Sequence, residues 1–209
     1  MAMCSASGSM KDTEKAGSRP DVSGAERQHQ PRLPVPRLVQ LAAISAVLVA
    51  SKELMNSLPN IHPVSLILIL CTRAYGWQAM YAAVVFIVSQ ALLHGFGIWF
   101  FSYLYIWPLL VGLVMLFRRN DGRLFWALFA GSFGLLFGAL CAVPYLFIGS
   151  FGETGGAAGA IGNTGGIGAA LAYWVAGIPF DLLHGTGNFV LTLAAMKPLE
   201  RLLARLNGS

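Results

Sequence analysis

Between Leu38 and Met196 the apolar residues run in long blocks, separated by short polar or glycine-rich stretches. The blocks lack the strict alternation that strands of a membrane barrel require. A helix needs roughly 20 apolar residues to cross about 30 Å of hydrocarbon, and several blocks reach that length. The pattern predicts an all-α polytopic membrane protein. Span 1 is expected over about 38–57, span 4 over 98–117, span 5 over 124–148 and span 6 over 169–196. Between Val64 and Leu93 the run is interrupted by Arg73, Gly76 and Gln78. It predicts two helices, about 60–75 and 77–93, turning at Arg73–Gly76, with the first one short. Together these make a six-transmembrane-helix bundle.

Composition and charge sharpen this picture. Hydrophobic residues make up 56% of the 209 and charged residues only 11%, against about 25% in an ordinary soluble domain. The mean hydropathy is +0.65. Residues 1–37 hold 10 of the 23 charges, residues 197–209 hold 4, and the 159 residues between hold 9. This excludes a soluble enzyme, a disordered regulator and a nucleic-acid binder. With six spans and both termini cytoplasmic, 13 of the 14 Lys and Arg residues fall on the cytoplasmic side, and Lys52 is the exception. Five spans would place Arg118, Arg119 and Arg123 outside, against the positive-inside rule. Residues 1–36 are polar, rich in Ser, Gly and Pro, and read as a disordered cytoplasmic tail. Residues 37–197 form the membrane domain. Residues 198–209 read as a short amphipathic helix starting at Pro198, with Leu199, Leu202, Leu203 and Leu206 opposite Arg201 and Arg205. Cys4, Cys71 and Cys141 match no metal or disulfide spacing.

Two strips of small residues stand out. Ala42, Ala46 and Ala50 lie four apart in span 1, and Ala130, Gly134, Gly138 and Ala142 do so in span 5. Such strips let another helix approach closely, within the bundle or from a partner. Polar residues concentrate toward the outer half. Gln90 and His94 end span 3, Glu53 and Asn56 end span 1, and Asn60 and His62 lie in the loop that follows. Trp99 and Tyr103 belong to the outer half of span 4, and Tyr145 to the end of span 5. Asp181, His184 and Asn188 share one face of span 6. An acid at that depth costs on the order of 2.5–3.5 kcal/mol unless satisfied, so these residues point to a substrate pocket open to the outside. Its aromatic rings suit a ring-bearing molecule. The glycine-rich segment 149–168 lacks the lysine of a phosphate loop, and no such motif occurs elsewhere.

The order of the AxxxAxxxA strip, LPNIHPVSLILIL, HGFGIWFFSYLYIWPLL, LFGALCAVPYLFIG and GIPFDLLHGTGNFVLTLAAMKPL resembles the substrate-binding S component of energy-coupling factor (ECF) transporters. The likeness spans about residues 38–206. It implies a non-enzymatic binding subunit in a prokaryotic cell membrane that captures a vitamin or related micronutrient from outside. It further implies docking on a transmembrane T component that carries two ABC-type ATPases. ATP would thus be hydrolysed by partner subunits, with no cofactor on this chain. By the same resemblance Ala42, Ala46 and Ala50 would contact the T component. Cobalamin, a flavin and a thiamine-like compound all remain open as ligands. An alternative reading is a membrane-embedded metalloenzyme or hydrolase using His94, Asp181 and His184, since three His or Asp ligands can leave an open position on zinc. A third is an assembly scaffold.

Overall fold

The computed structural model describes residues 34–55, 63–148 and 166–206. The chain divides into two units between Leu33 and Pro34, and the description concerns the second. Its elements are all helical: α1 (Val35–Leu54), α2 (Val64–Tyr75), a single 3-10 turn (Gly76–Gln78), α3 (Ala79–His94), α4 (Ile98–Phe117), α5 (Arg123–Leu135), α6 (Phe137–Ile148) and α7 (Ile167–Leu206). Five apolar helical stretches are long enough to cross a bilayer, and one of them is the 31-residue stretch Val64–His94. The outward faces are apolar, including Leu92, Leu104, Leu128, Phe180 and Val190. Buried among the helices are Ser45, Ser65, Thr72, Gln90, Ser102, Asp181, His184, Asn188 and Thr192. Apolar surface outside and polar groups inside is the arrangement that lipid selects.

The stretch Val64–His94 is not one straight rod. Gly76 has φ +63° and ψ −137°, a conformation that L side chains rarely adopt. The chain reverses there. Arg37 at the start of α1 reaches Gln78, while Glu53 at its end reaches Gln90 and His94, so α1 and α3 run in parallel. Only residues 95–97 separate α3 from α4, and Phe86 of α3 meets Tyr103 and Trp107 of α4, so the chain turns back and the two helices are antiparallel. Arg73 meets Asn120 just beyond α4, so α2 runs with α4 and against α3. At the far end of α3, Gly95 (φ +77°, ψ −178°) ends the helix in a conformation that L side chains rarely adopt.

These contacts also give the bundle two chemically distinct ends. Arg37, Arg73, Arg118 and Lys197 gather at one, the basic end. Lys52, Glu53 and His94 mark the other.

Span 5 is one apolar stretch, Arg123–Phe147, with a one-residue interruption at Leu136 between α5 and α6. One expectation is corrected. The expected helix starting at Pro198 is instead the last part of α7, which runs for 40 residues, roughly 60 Å. Pro198 removes one backbone donor, but its neighbours Lys197 and Glu200 are tied to the α2 and α4–α5 segments. Those contacts hold the helix across the proline. Cys71 and Cys141 are buried free thiols, and Cys4 lies outside the described residues.

Candidate functional site

The polar residues of the interior form two clusters joined by aromatic rings. The first sits at the end opposite the basic one. Oε1 of Glu53 accepts a hydrogen bond from Nε2 of Gln90 at 3.0 Å and lies 2.9 Å from Nε2 of His94. Lys52 stands 3.7 Å from the same oxygen. Gln90 is buried, so its amide would be costly without this carboxylate. Gln90 and His94 were expected in the site. Glu53, which unites them, was legible only as a polar residue ending span 1.

The second cluster lies midway along α7. Asp181 Oδ1 accepts the backbone N–H of Gly138 at 2.9 Å. That donor is available because the break at Leu136 places Gly138 in the first turn of α6, where N–H groups lack an intrahelical partner. A Cβ at residue 138 would fall inside the Asp181 carboxylate, so only glycine permits this approach. Oδ2 of Asp181 is buried and has no hydrogen-bond partner among the described residues. His184, one turn on, is buried and packs its ring 4.8 Å from that of Phe137. Asn188 donates to Oγ of Ser65 on α2 at 3.3 Å. The stripe continues through buried Thr192. It therefore extends from Asp181 toward the basic end.

Rings bridge the two clusters. Trp99 meets Tyr103 at 5.3 Å between centroids. Tyr103 also contacts Phe86 at 6.2 Å, Trp107 at 5.5 Å and Phe137 at 6.5 Å. Phe137 then meets His184. Phe86 and Gln90 lie one turn apart on α3, so this run of rings leads from the Glu53 cluster to the Asp181 cluster. Tyr145 stacks on Tyr173 at 4.4 Å, joining α6 to α7. Trp107 and Phe137 belong to this column, although in the sequence nothing separates them from other apolar core residues. Asn60 and His62 lie outside the described residues.

The two small-residue strips have opposite fates. Ala130, Gly134, Gly138 and Ala142 are buried. A Cβ at residue 134 would meet the backbone of Gly185, and one at Gly131 would meet the Gly185 carbonyl and Phe189. This strip is consumed in packing α5 and α6 against α7. Ala42, Ala46 and Ala50 are exposed, while α1 turns Leu41, Ser45 and Leu48 inward. The three alanines form a smooth, unoccupied face on the outside of α1.

His94 is engaged with Glu53 at the end of α3, whereas Asp181 and His184 face α6. No group of three or more His, Cys, Asp or Glu side chains is placed to share a metal ion among the described residues. The constellation of His94, Asp181 and His184 weighed from the sequence is thus not assembled. No protein-family model matches the chain, and no curated protein or solved structure does so either.

Proposed function

We propose that this protein is a substrate-binding membrane subunit of the ECF S-component type, with six passes and both termini on the cytoplasmic side. In this reading it captures a ring-bearing vitamin or related micronutrient at the end of the bundle opposite the basic one. It then delivers the molecule by docking on a transmembrane partner energised by ATPases. The observation that carries the reading is the column of rings between two polar clusters, Glu53–Gln90–His94 and Asp181–His184, inside helices whose outer faces are apolar. Flat rings pack against Tyr103, Trp107 and Phe137, and the polar groups at either end orient what lies between. The exposed Ala42–Ala46–Ala50 face of α1 supports the docking half of the proposal, because small residues let a partner helix come close. The basic residues at one end support the orientation. Mass spectrometry of small molecules that co-purify with the full chain tests the reading. A stoichiometric ring-bearing compound is expected, and a protein that carries and binds no small molecule overturns it.

A further inference from the structure

Among the described residues, Asp181 is the one acidic side chain buried in the interior of the bundle. The other described acids, Glu53, Asp121 and Glu200, sit at its ends in ion pairs. Asp181 is 5% exposed. One of its oxygens is held by Gly138 at the start of α6, and the other is buried without a partner among the described residues. A single backbone N–H does not neutralise a carboxylate in a medium where unpaired charge is costly. No ion pair reaches Asp181 among the described residues. The residue preceding Gly138 is Phe137, whose ring contacts His184, Tyr103 and Trp107. Asp181 and His184 lie one turn apart on α7, so the carboxyl without a second donor and the cluster of π faces around Phe137 share one region of the interior. Both features attract the same chemical group, a cation carried on a flat ring.

We infer that the ligand is a positively charged nitrogen heterocycle, and that Asp181 Oδ2 anchors its charge beside Phe137 and the neighbouring rings. This inference rests on the proposed binding function and narrows its substrate class. A neutral ring would leave the Asp181 charge as it is. An anionic one would be repelled.

The experiment uses the full chain purified in mild detergent. The small molecule released on denaturation is identified by mass spectrometry. Binding of thiamine and 1-methylnicotinamide, both cationic rings, is compared with binding of riboflavin, nicotinamide and cyanocobalamin by calorimetry and thermal shift. A released or bound molecule with a cationic ring is expected, and Asp181→Asn should weaken its binding on the order of 30-fold or more. A neutral or anionic ligand overturns the inference while leaving the binding function standing. Unchanged affinity in a folded Asp181→Asn protein does the same. The comparison within the wild-type protein decides the question even if that variant fails to fold. If nothing is released and none of the five probes binds, the binding function itself fails, and the inference with it.

Discussion

Arg73 and Glu200 are 127 positions apart in the chain, yet Nε of Arg73 lies 3.0 Å from Oε1 of Glu200. The same guanidinium pairs with Asp121 at 2.9 Å, donates to the carbonyl of Asn120 and lies 5.0 Å above the ring of buried Trp126. Lys197 adds a 3.0 Å contact to Glu200 and donates to the Asp121 carbonyl. One arginine thus ties α2, the α4–α5 turn and α7 together at the basic end. Its side chain is 13% exposed, so solvent screens this network less than an ordinary surface pair. We expect Arg73→Ala to cost about 1–3 kcal/mol, because it removes the one side chain that joins three segments, while Lys197 stays on Glu200 and Asp121 remains open to solvent. A double-mutant cycle with Glu200→Ala, followed by thermal melting in detergent, should show coupling above about 0.5 kcal/mol. Additive losses would show that the two side chains do not communicate.

The contact between α5 and α7 depends on the absence of side chains. Gly134 and Gly185 face each other so closely that a Cβ at residue 134 would overlap the Gly185 backbone. Backbone cannot swing aside as a flexible side chain can. Gly134→Leu should therefore separate the helices and destabilise the protein by at least about 3 kcal/mol, as overpacking of a tight site does. Gly112 has open space around its Cβ position, so Gly112→Ala is the control and should change the melting temperature little. Equal melting temperatures for Gly134→Leu and wild type would contradict the packing described.

Much of this architecture was legible in the sequence, and the part that was not has physical causes. Long apolar blocks mark helices because bilayer thickness fixes their length. The turn at Gly76 was readable because Arg73 and Gly76 interrupt an apolar run. The interruption at Leu136 was not, since the residue there is an ordinary helix former and the partner of the neighbouring Gly138 N–H, Asp181, lies 43 positions away. Likewise Pro198 looked like a helix start, because the contacts that hold α7 together across it come from residues 73 and 121. The two small-residue strips have the same spacing and could not be told apart. Only the pairing with Gly185 shows that the strip on α5 and α6 is internal. Glu53 joined the site for the same reason: its partners Gln90 and His94 lie on another helix.

Tyr105 and Pro144 should be thermodynamically coupled although neither is a neighbour of the other in sequence. Pro144 lies inside α6 and has no N–H for the carbonyl of Leu140, four residues earlier. The hydroxyl of Tyr105 on α4 donates to that carbonyl instead. Tyr105→Phe should then cost about 1–2 kcal/mol, the penalty of leaving a half-buried carbonyl unsatisfied. In a Pro144→Ala background the new backbone N–H can satisfy Leu140, and the cost of Tyr105→Phe should fall to about half or less. Thermal melting of the four proteins measures this. The same loss in both backgrounds would mean that Tyr105 acts through packing alone.

If the proposed function holds, Ala46 and Ala50 separate binding from transport. Both are exposed on α1, so Trp at either position meets lipid and not the bundle interior. The double variant Ala46→Trp, Ala50→Trp should therefore melt within a few degrees of wild type and retain any ligand that co-purifies with the wild-type protein. A partner helix needs about 8 Å between axes to pack on small residues, and an indole prevents that approach. Uptake by cells carrying the complete transport system should fall at least tenfold, whereas Leu48→Trp, at a fully buried position, should damage folding and binding together. If the double variant transports as wild type does, the α1 face is lipid-exposed surface and the docking half of the proposed function is wrong. If it loses ligand and stability along with uptake, α1 packs against its neighbours through this face.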